Sequence, residues 1–359
     1  MSKAAELAAL IGSQTALSNR NVIINGAFQC SQRGTSTTGG GFLVDRFELN
    51  INNTDNIAIT QSQDSSGPSG FANSWKILAT TAESAVAADE RVRFRQNIEG
   101  QNLQQFSFGT SAAKSMTLSF YVKSNKTGTY AVNLEQDDAS RVIGSTYTIS
   151  SADTWEFKTI TVGGDTSGTI NDDNGAGLIV SWYLLAGSNY TATDNTSYGA
   201  SADGKQAYGH STTWGQATND NFFITGIQME VGEQATPFEH RSFGDELARC
   251  QRYFEKTYDQ GTAVATATAT GSIGFRADQS GSTAAAYGQI PLRYVVTKRA
   301  TATVTFYDTA GTSGHWTSAG AVDGARDVAA TSSYSTGFTP QMNQTFDLVS
   351  GHFTADAEL

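Results

Sequence analysis

The side chains able to do acid, metal or nucleophile chemistry are few and scattered. His210, His240, His315 and His352 stand singly, with no i, i+3 or i, i+4 helical pair and no HExxH. Cys30 and Cys250 are too few for a disulfide scaffold, and no CxxC pair exists. No GxGxxG opens a helix after a strand, no GxxxxGKS or GxxxxGKT cradles a phosphate, and the GxSxG nucleophile elbow is absent. Carboxylates are plentiful, as at Asp137-Asp138, Asp172-Asp173, Glu230 and Glu239. Glycoside cleavage needs only two of them at a suitable separation in space, so a glycan-cleaving activity stands as an alternative reading. Asp165 with Asp172-Asp173-Asn174 offers hard oxygen ligands for calcium, but lacks the alternation of an EF-hand loop, and a hydrophilic hairpin turn accounts for it equally well. These residues point to no catalytic site, no metal and no cofactor.

What remains is aromatic rings among uncharged polar groups. A sugar presents a face of C–H bonds, on which a Trp or Tyr ring packs, and an edge of hydroxyls, which Asn, Gln, Asp and Ser pair with. Tyr190, Tyr198, Tyr208, His210 and Trp214 supply such groups in the long stretch from Gly187 to Asn221, and His315-Trp316 in the stretch from Gly311 to Gly324. They are the candidate glycan-binding residues; the alternative is that each ring staples its own loop to the domain. Trp75, Trp155 and Trp182 lie beside strand patterns and are expected in the core.

The elements that must position these groups are mostly strands. Charged residues make up 16% of the 359, below the roughly 25% of ordinary soluble domains. Aromatics at 10% argue against wholesale disorder. From Asn21 to Val231 the hydrophobic pattern has period two. Val22 to Ile24, Phe47 to Ile51, Val92 to Arg95, Met116 to Val122, Tyr130 to Leu134, Thr146 to Ile149, Phe157 to Val162, Leu178 to Trp182 and Phe222 to Val231 are strand candidates, separated by turn clusters such as Ser66-Gly67-Pro68 and Gly163-Gly164-Asp165. Many strands without helices between them predict an antiparallel sandwich. The Gly187–Asn221 stretch is long and aperiodic, as functional loops often are.

Two helices are predicted. Leu7, Leu10 and Ile11 share one side of Ser2 to Ile11, a segment too short to be helical alone in water, so it would be ordered only against a copy of itself or another docking surface; the alternative is a frayed terminus. Phe243, Leu247, Cys250 and Phe254 form an apolar stripe along Phe243 to Tyr258, with Ser242 as a cap, and Cys250 reads there as a small buried hydrophobe. Beyond Thr262 the pattern is β-like again: Val264 to Thr270, Ile273 and Phe275, Ile290 to Val296, Ala302 to Tyr307, Phe346 to Val349 and His352-Phe353. The repeated small residues there suit strands packed against neighbouring copies.

The balance of 23 Lys+Arg against 34 Asp+Glu gives a net charge of −11, which disfavours a nucleic-acid partner, since such binding depends on Lys and Arg displacing counterions. No apolar run approaches the 18 or so residues of a membrane span, and Glu6 interrupts the start of the chain where a signal peptide would need its apolar region. The expectation is a soluble, acidic, unsecreted protein.

Several segments resemble known families. Asn21 to Phe28 (NVIINGAF), Arg95 to Leu103 (RQNIEGQNL) followed by Leu118 to Lys123 (LSFYVK), and Phe222 to Val231 (FFITGIQMEV) resemble the frame of carbohydrate-binding-module-like jelly rolls. Ala235 to Tyr253 (ATPFEHRSFGDELARCQRY), with the start MSKAAELAALIG and the ending GHFTADAEL, is similar to tail fiber and receptor-binding proteins of bacteriophages, particularly of marine and cyanobacterial hosts. The likeness covers most of residues 1 to 256 and, more loosely, Ile290 to Leu359. Calcium-binding jelly rolls of that family carry acidic residues in the final strand, where this chain has Thr225-Gly226, and Gln29 replaces another near the first strand.

The resemblance implies a homotrimer in the virion tail, assembled in the bacterial host cytoplasm. Residues 1–20 would attach it to phage tail or adaptor proteins, with Leu7, Leu10 and Ile11 as the trimer contacts. Its β domains would face a host surface polysaccharide, with neither nucleic acid nor membrane insertion involved; the alternatives are a fiber that depolymerises its glycan and a structural or decoration protein of the virion with no receptor of its own. The fold expected is mainly β. Residues 1–20 are the attachment helix and linker, 21–241 an antiparallel jelly-roll sandwich, 242–258 a linking helix, and 259–359 a second, C-terminal β tip domain. A disulfide-poor β protein suits assembly in a reducing cytoplasm, and weak sugar sites repeated three times gain avidity.

Overall fold

The computed structural model describes residues 19–276, 291–319, 324–342 and 348–359. The chain divides into two compact units. The first is built from residues up to Gln29, Ser36–Phe42 and Phe47–Ser242; the second takes Cys30–Thr35 and Leu43–Arg46 together with Phe243–Leu359. The helix expected as a link at 242–258 therefore belongs to the second unit.

The first unit is an antiparallel jelly-roll sandwich of two sheets. Its strands are β1 (Ser36–Thr38), β2 (Gly41–Phe42), β3 (Glu48–Asn52), β4 (Ala58–Asp64), β5 (Ser74–Thr81), β6 (Arg91–Glu99) and β7 (Met116–Ser124). They continue with β8 (Gly128–Gln136), β9 (Arg141–Ile149), β10 (Glu156–Val162), β11 (Ala176–Ala186), β12 (Gly199–Ala200) and β13 (Asn221–Val231). One sheet runs β1-β4-β5-β13-β7-β10 and the other β12-β9-β8-β11-β6-β3-β2. Alternation sets the layers: Met116, Leu118, Phe120 and Val122 of β7 point inward, while Thr117, Ser119, Tyr121 and Lys123 take the opposite face. Inside, Trp182 stacks on Phe94 at 5.2 Å and meets Phe120 edge-on at 5.9 Å, with Phe28, Phe47 and Trp75 closing the aromatic core. Burying each such ring contributes about 1.5–3 kcal/mol.

Two sequence expectations fail here for local reasons. Val22 to Ile24 is not a strand, because the Asn21 side chain takes the place of ladder bonds: its Oδ1 accepts from Ile23 N and Met229 N, and its Nδ2 donates to Ile227 O. β4 escapes the period-two reading because it turns Gln61, a buried amide, inward beside Ile59.

The second unit contains α2 (Phe243–Gln251) and the strands β14 (Phe254–Lys256), β15 (Ile273–Arg276), β16 (Leu292–Arg293), β17 (Thr303–Tyr307), β18 (His315–Ala319), β19 (Gly324–Tyr334), β20 (Gly337–Met342) and β21 (Leu348–Asp356); α1, in the first unit, is Ser188–Thr191. β21 is the axis: β15 and β18 pair with its first half, β14 and β17 with its second. α2 ends at Gln251, short of the expected Tyr258, because Phe254–Lys256 pair with β21 instead. The Thr-Ala stretch Val264 to Thr270 forms turns where a strand is expected, and His315-Trp316 lies on β18 where a loop is expected.

The segments recruited from the early chain are tied into the second unit by their polar side chains. The Arg46 guanidinium lies 3.3 Å from the centroid of the Tyr253 ring and pairs with Glu358. Arg33 lies over Phe254 at 3.7 Å and reaches Asp356 at 3.0 Å. Gln32 Nε2 donates to Phe254 O at 2.8 Å and to Asp45 Oδ2 at 2.9 Å.

Candidate functional site

The sandwich carries a cleft of about 380 Å³ where β9 of one sheet and β10 of the other meet the segment 187–221. β9 contributes Ile143 to Thr146, the end of β10 contributes Thr161 to Gly163, and the covering segment contributes Asn195, Thr196, Tyr208 and Gly209.

The covering segment is fastened at several points. α1 seats Tyr190, whose hydroxyl donates to Asp89 O at 3.1 Å while the Arg91 guanidinium lies 4.7 Å from its ring centre. Tyr190, Ala207, Tyr183 and Ala131 form a small apolar cluster. Asn133 Nδ2 donates to Lys205 O and Gln206 O, and Ser211 N to Thr129 O. Gly144 N donates to Asn195 O at 2.8 Å, and a Cβ on Gly144 would fall 2.0 Å from the Asn195 amide, so only glycine lets the segment close on β9. Thr196 N donates to the Asp194 carboxylate at 2.8 Å, and that bond holds the Asp194 carboxyl below its ordinary range.

His210 stands just beyond the cleft wall. It keeps a rim in solvent but its Nε2 is enclosed; its Nδ1 accepts from Ala131 N at 3.4 Å, and its ring meets Tyr130 edge-on at 5.9 Å. Burial drives its pKa down to about 4, so it is neutral near pH 7 and serves as packing. Tyr208, two residues earlier, is held between these anchors with 37% of its surface exposed.

The cleft lining offers hydroxyls (Ser145, Thr146, Thr161, Thr196), backbone amides and one ring. Among the described residues that line it there is no carboxylate, ammonium or guanidinium. Such a lining suits a neutral polyhydroxylated ligand.

The predicted residues are dispersed. Tyr208 alone among the seven aromatic and histidine candidates lines this cleft. Trp214 and Trp316 are fully enclosed and present no ring face to a ligand, and Tyr190 is an anchor. The Tyr198 hydroxyl is buried near Asp165, and that burial raises its pKa; its ring meets Phe108. His315 and Trp316 lie in the second unit, where Trp316 Nε1 donates to His352 O at 3.0 Å. Leu7, Leu10 and Ile11 fall outside the described residues. Trp155, expected in the core, is half-buried on the outer sheet face beside Lys123. The hydroxyl lining escaped the sequence reading; its usable signal was Gly144, a glycine inside a strand pattern.

The two acidic features resolve into structural roles. Asp165 accepts from Arg141 Nε at 2.6 Å and Gln136 Nε2 at 3.0 Å, and Asp173 Oδ1 accepts from Gly175 N in a turn. In the second unit the ligand atoms of Cys30, Asp45 and Cys250 lie within 4.8 Å of one another. All three are buried; Asp45 accepts from Gln32 N and Nε2, and burial raises the Cys250 thiol well above its ordinary range. Among the described residues, no helix is long and apolar enough to cross a membrane.

No protein-family model and no curated protein matches the chain. Solved structures resemble it at low similarity. One is the enzymatically active domain of bacteriophage CBA120 tailspike protein 4, with 13% identity and a TM-score of 0.30; the match covers 59% of this chain and 22% of that one. A second is the family 11 carbohydrate-binding module from Clostridium thermocellum in complex with a β-1,3-1,4-mixed-linked tetrasaccharide, with 13% identity and a TM-score of 0.28, covering 56% and 99%. A third is the N-terminal carbohydrate-binding and catalytic modules of Clostridium thermocellum xylanase 10B with xylohexaose, with 10% identity and a TM-score of 0.30, covering 60% and 29%. This likeness assigns no ligand to the chain.

Proposed function

We propose that the chain is a receptor-binding fiber protein of a bacteriophage tail, acting as a homotrimer. Residues 1–20 fix it to tail or adaptor proteins, and its sandwich holds host surface polysaccharide without cutting it. The observation that carries this reading is the Tyr208 cleft: an exposed ring on a rigid sandwich edge, surrounded by hydroxyls and free of carboxylates. The resemblance of the Ala235–Tyr253 run to phage fibers supports the particle assignment, and the net charge of −11 supports a ligand other than nucleic acid.

Immobilised neutral polysaccharides from bacterial envelopes test the reading. The parent chain should be retained and sediment as a trimer, and Tyr208→Ala should weaken retention about ten-fold. The polysaccharide should keep its length on prolonged incubation. A monomer indifferent to every envelope glycan overturns the proposal, and shortened chains replace it with a depolymerase.

A further inference from the structure

The outer face of the β1-β4-β5-β13-β7-β10 sheet carries a second set of rings with a different chemistry. Register places Lys123 opposite Phe223 and Phe223 opposite Lys76, so three adjacent strands set a ring between two ammonium groups. Their backbones span roughly 10 Å, two strand spacings, yet both side chains fold toward the ring between them. Lys123 Nζ lies 4.2 Å from the Phe223 centroid and 5.1 Å from that of Trp155, and Lys76 Nζ lies 5.5 Å from Phe223. Beside them Tyr121 and Phe157 form a pair at 4.9 Å, and Phe157 is 49% exposed.

The charges here are unusual for this chain. Acidic residues outnumber basic ones by 34 to 23, yet neither Lys76 nor Lys123 makes an ion pair or hydrogen bond among the described residues. The π faces beneath them offset only part of the repulsion between two like charges. An anion between them would relieve the rest, and the exposed Phe157 ring, tilted 47° to the half-buried Tyr121 beside it, offers an apolar surface next to it.

We propose that this face is a second binding site, which takes the acidic sugars of a polysaccharide. A uronate residue sets its C–H face on the exposed Phe157 ring and its carboxylate between Lys123 and Lys76. The site shares no residue with the Tyr208 cleft and stands whether or not that cleft binds glycan.

Titration of the full chain with oligogalacturonate, with a neutral malto-oligosaccharide of equal length, and with a single-stranded oligonucleotide of equal charge tests it. Oligogalacturonate should bind, and more weakly as salt rises from 20 to about 200 mM. The Lys76→Met/Lys123→Met pair, which keeps most of each apolar stem, should lower that affinity about ten-fold or more. Tyr208→Ala should leave it unchanged, which separates failure here from failure of the cleft. The proposal is overturned by salt-independent binding, by equal binding of the neutral sugar, by an oligonucleotide binding as tightly, or by no binding. Should the double variant melt early, Phe157→Ser on the exposed ring gives the second reading: affinity unchanged by it overturns the proposal as well.

Discussion

The two units bury different things. The first fills the space between its sheets with rings and aliphatic chains, alongside buried amides such as Gln61 and Gln96, and among the described residues the Nε1–H groups of Trp75, Trp182 and Trp214 meet no acceptor. The second threads polar pairs through its interior: Lys298 with Glu255, Arg46 with Glu358, Gln32 with Asp45, and Trp316 Nε1 with His352 O. A core of the first kind depends on area and shape, and tolerates a small loss of fit. One of the second kind depends on complete pairing, since a lone buried charge costs far more than the pair contributes.

The largest expected effect follows from the Lys298–Glu255 pair. Lys298 Nζ donates to Glu255 Oε2 at 2.6 Å and to Val296 O at 3.0 Å, with side-chain exposures of 0% and 4% for the pair. Lys298→Met should cost about 3–5 kcal/mol by denaturant titration, and adding Glu255→Leu should recover most of it. In the first unit, Arg95→Met removes an ion pair to Glu48 whose side chains are 25% and 23% exposed, and should cost less than about 1 kcal/mol. Equal losses at the two pairs would end the contrast.

Acid should act on the two units with opposite sign. Burial raises the Asp45 carboxyl to about 6, against the opposing pull of Arg33, so the folded second unit holds that proton more tightly than the unfolded chain does. This contribution is fully present below about pH 4 and is lost as pH rises through 6. His210 in the first unit is depressed to about 4 from its ordinary 6.5, so its contribution is present above 6.5 and is lost as pH falls toward 4. Between pH 7 and 5, the His210 term should remove about 2 kcal/mol and the Asp45 term add about 1 kcal/mol. Denaturant midpoints at both pH values for the parent, His210→Gln and Asp45→Asn separate the two terms. Each substitution should cancel one slope and leave the other.

Much of the first unit was legible because its strands obey one rule: alternate residues are apolar, as in Met116 to Val122. The reading failed where side chains replaced backbone partners, as at Asn21, or where a buried amide such as Gln61 broke the alternation. Aromatic residues misled it for a related reason. A ring in a glycine-rich segment reads as surface, yet Trp214 and Trp316 are enclosed, because whether a ring faces solvent depends on what the distant chain lays over it. Tyr208 lines the cleft because Gly144, more than sixty residues earlier, lets the covering segment close beside it.

The tryptophans refine the comparison at a smaller scale. Trp182→Phe removes volume but also an N–H that has no acceptor, whereas Trp316→Phe removes a similar volume and a hydrogen bond, leaving His352 O to find another donor. The loss at Trp316 should exceed that at Trp182 by about 1 kcal/mol. A larger loss at Trp182 would mean that ring packing governs both cores.

Tyr208 should matter least to stability. It is 37% exposed and lies outside the apolar cluster that fastens its segment, in which Tyr190 and Ala207 take the buried places. Tyr208→Ala should therefore change the unfolding free energy by less than about 0.5 kcal/mol while weakening retention on neutral glycan. Tyr208→Phe keeps the ring and should keep the retention, since the C–H face of a sugar packs on the ring and does not need the phenol oxygen. If both substitutions abolish retention equally, the hydroxyl is the contact and the ring serves only to hold it in place. If Tyr208→Ala destabilises the fold by as much as an enclosed tryptophan would, the segment 187–221 draws on that ring for its own docking, and the cleft loses the one aromatic face that marks it as a sugar site.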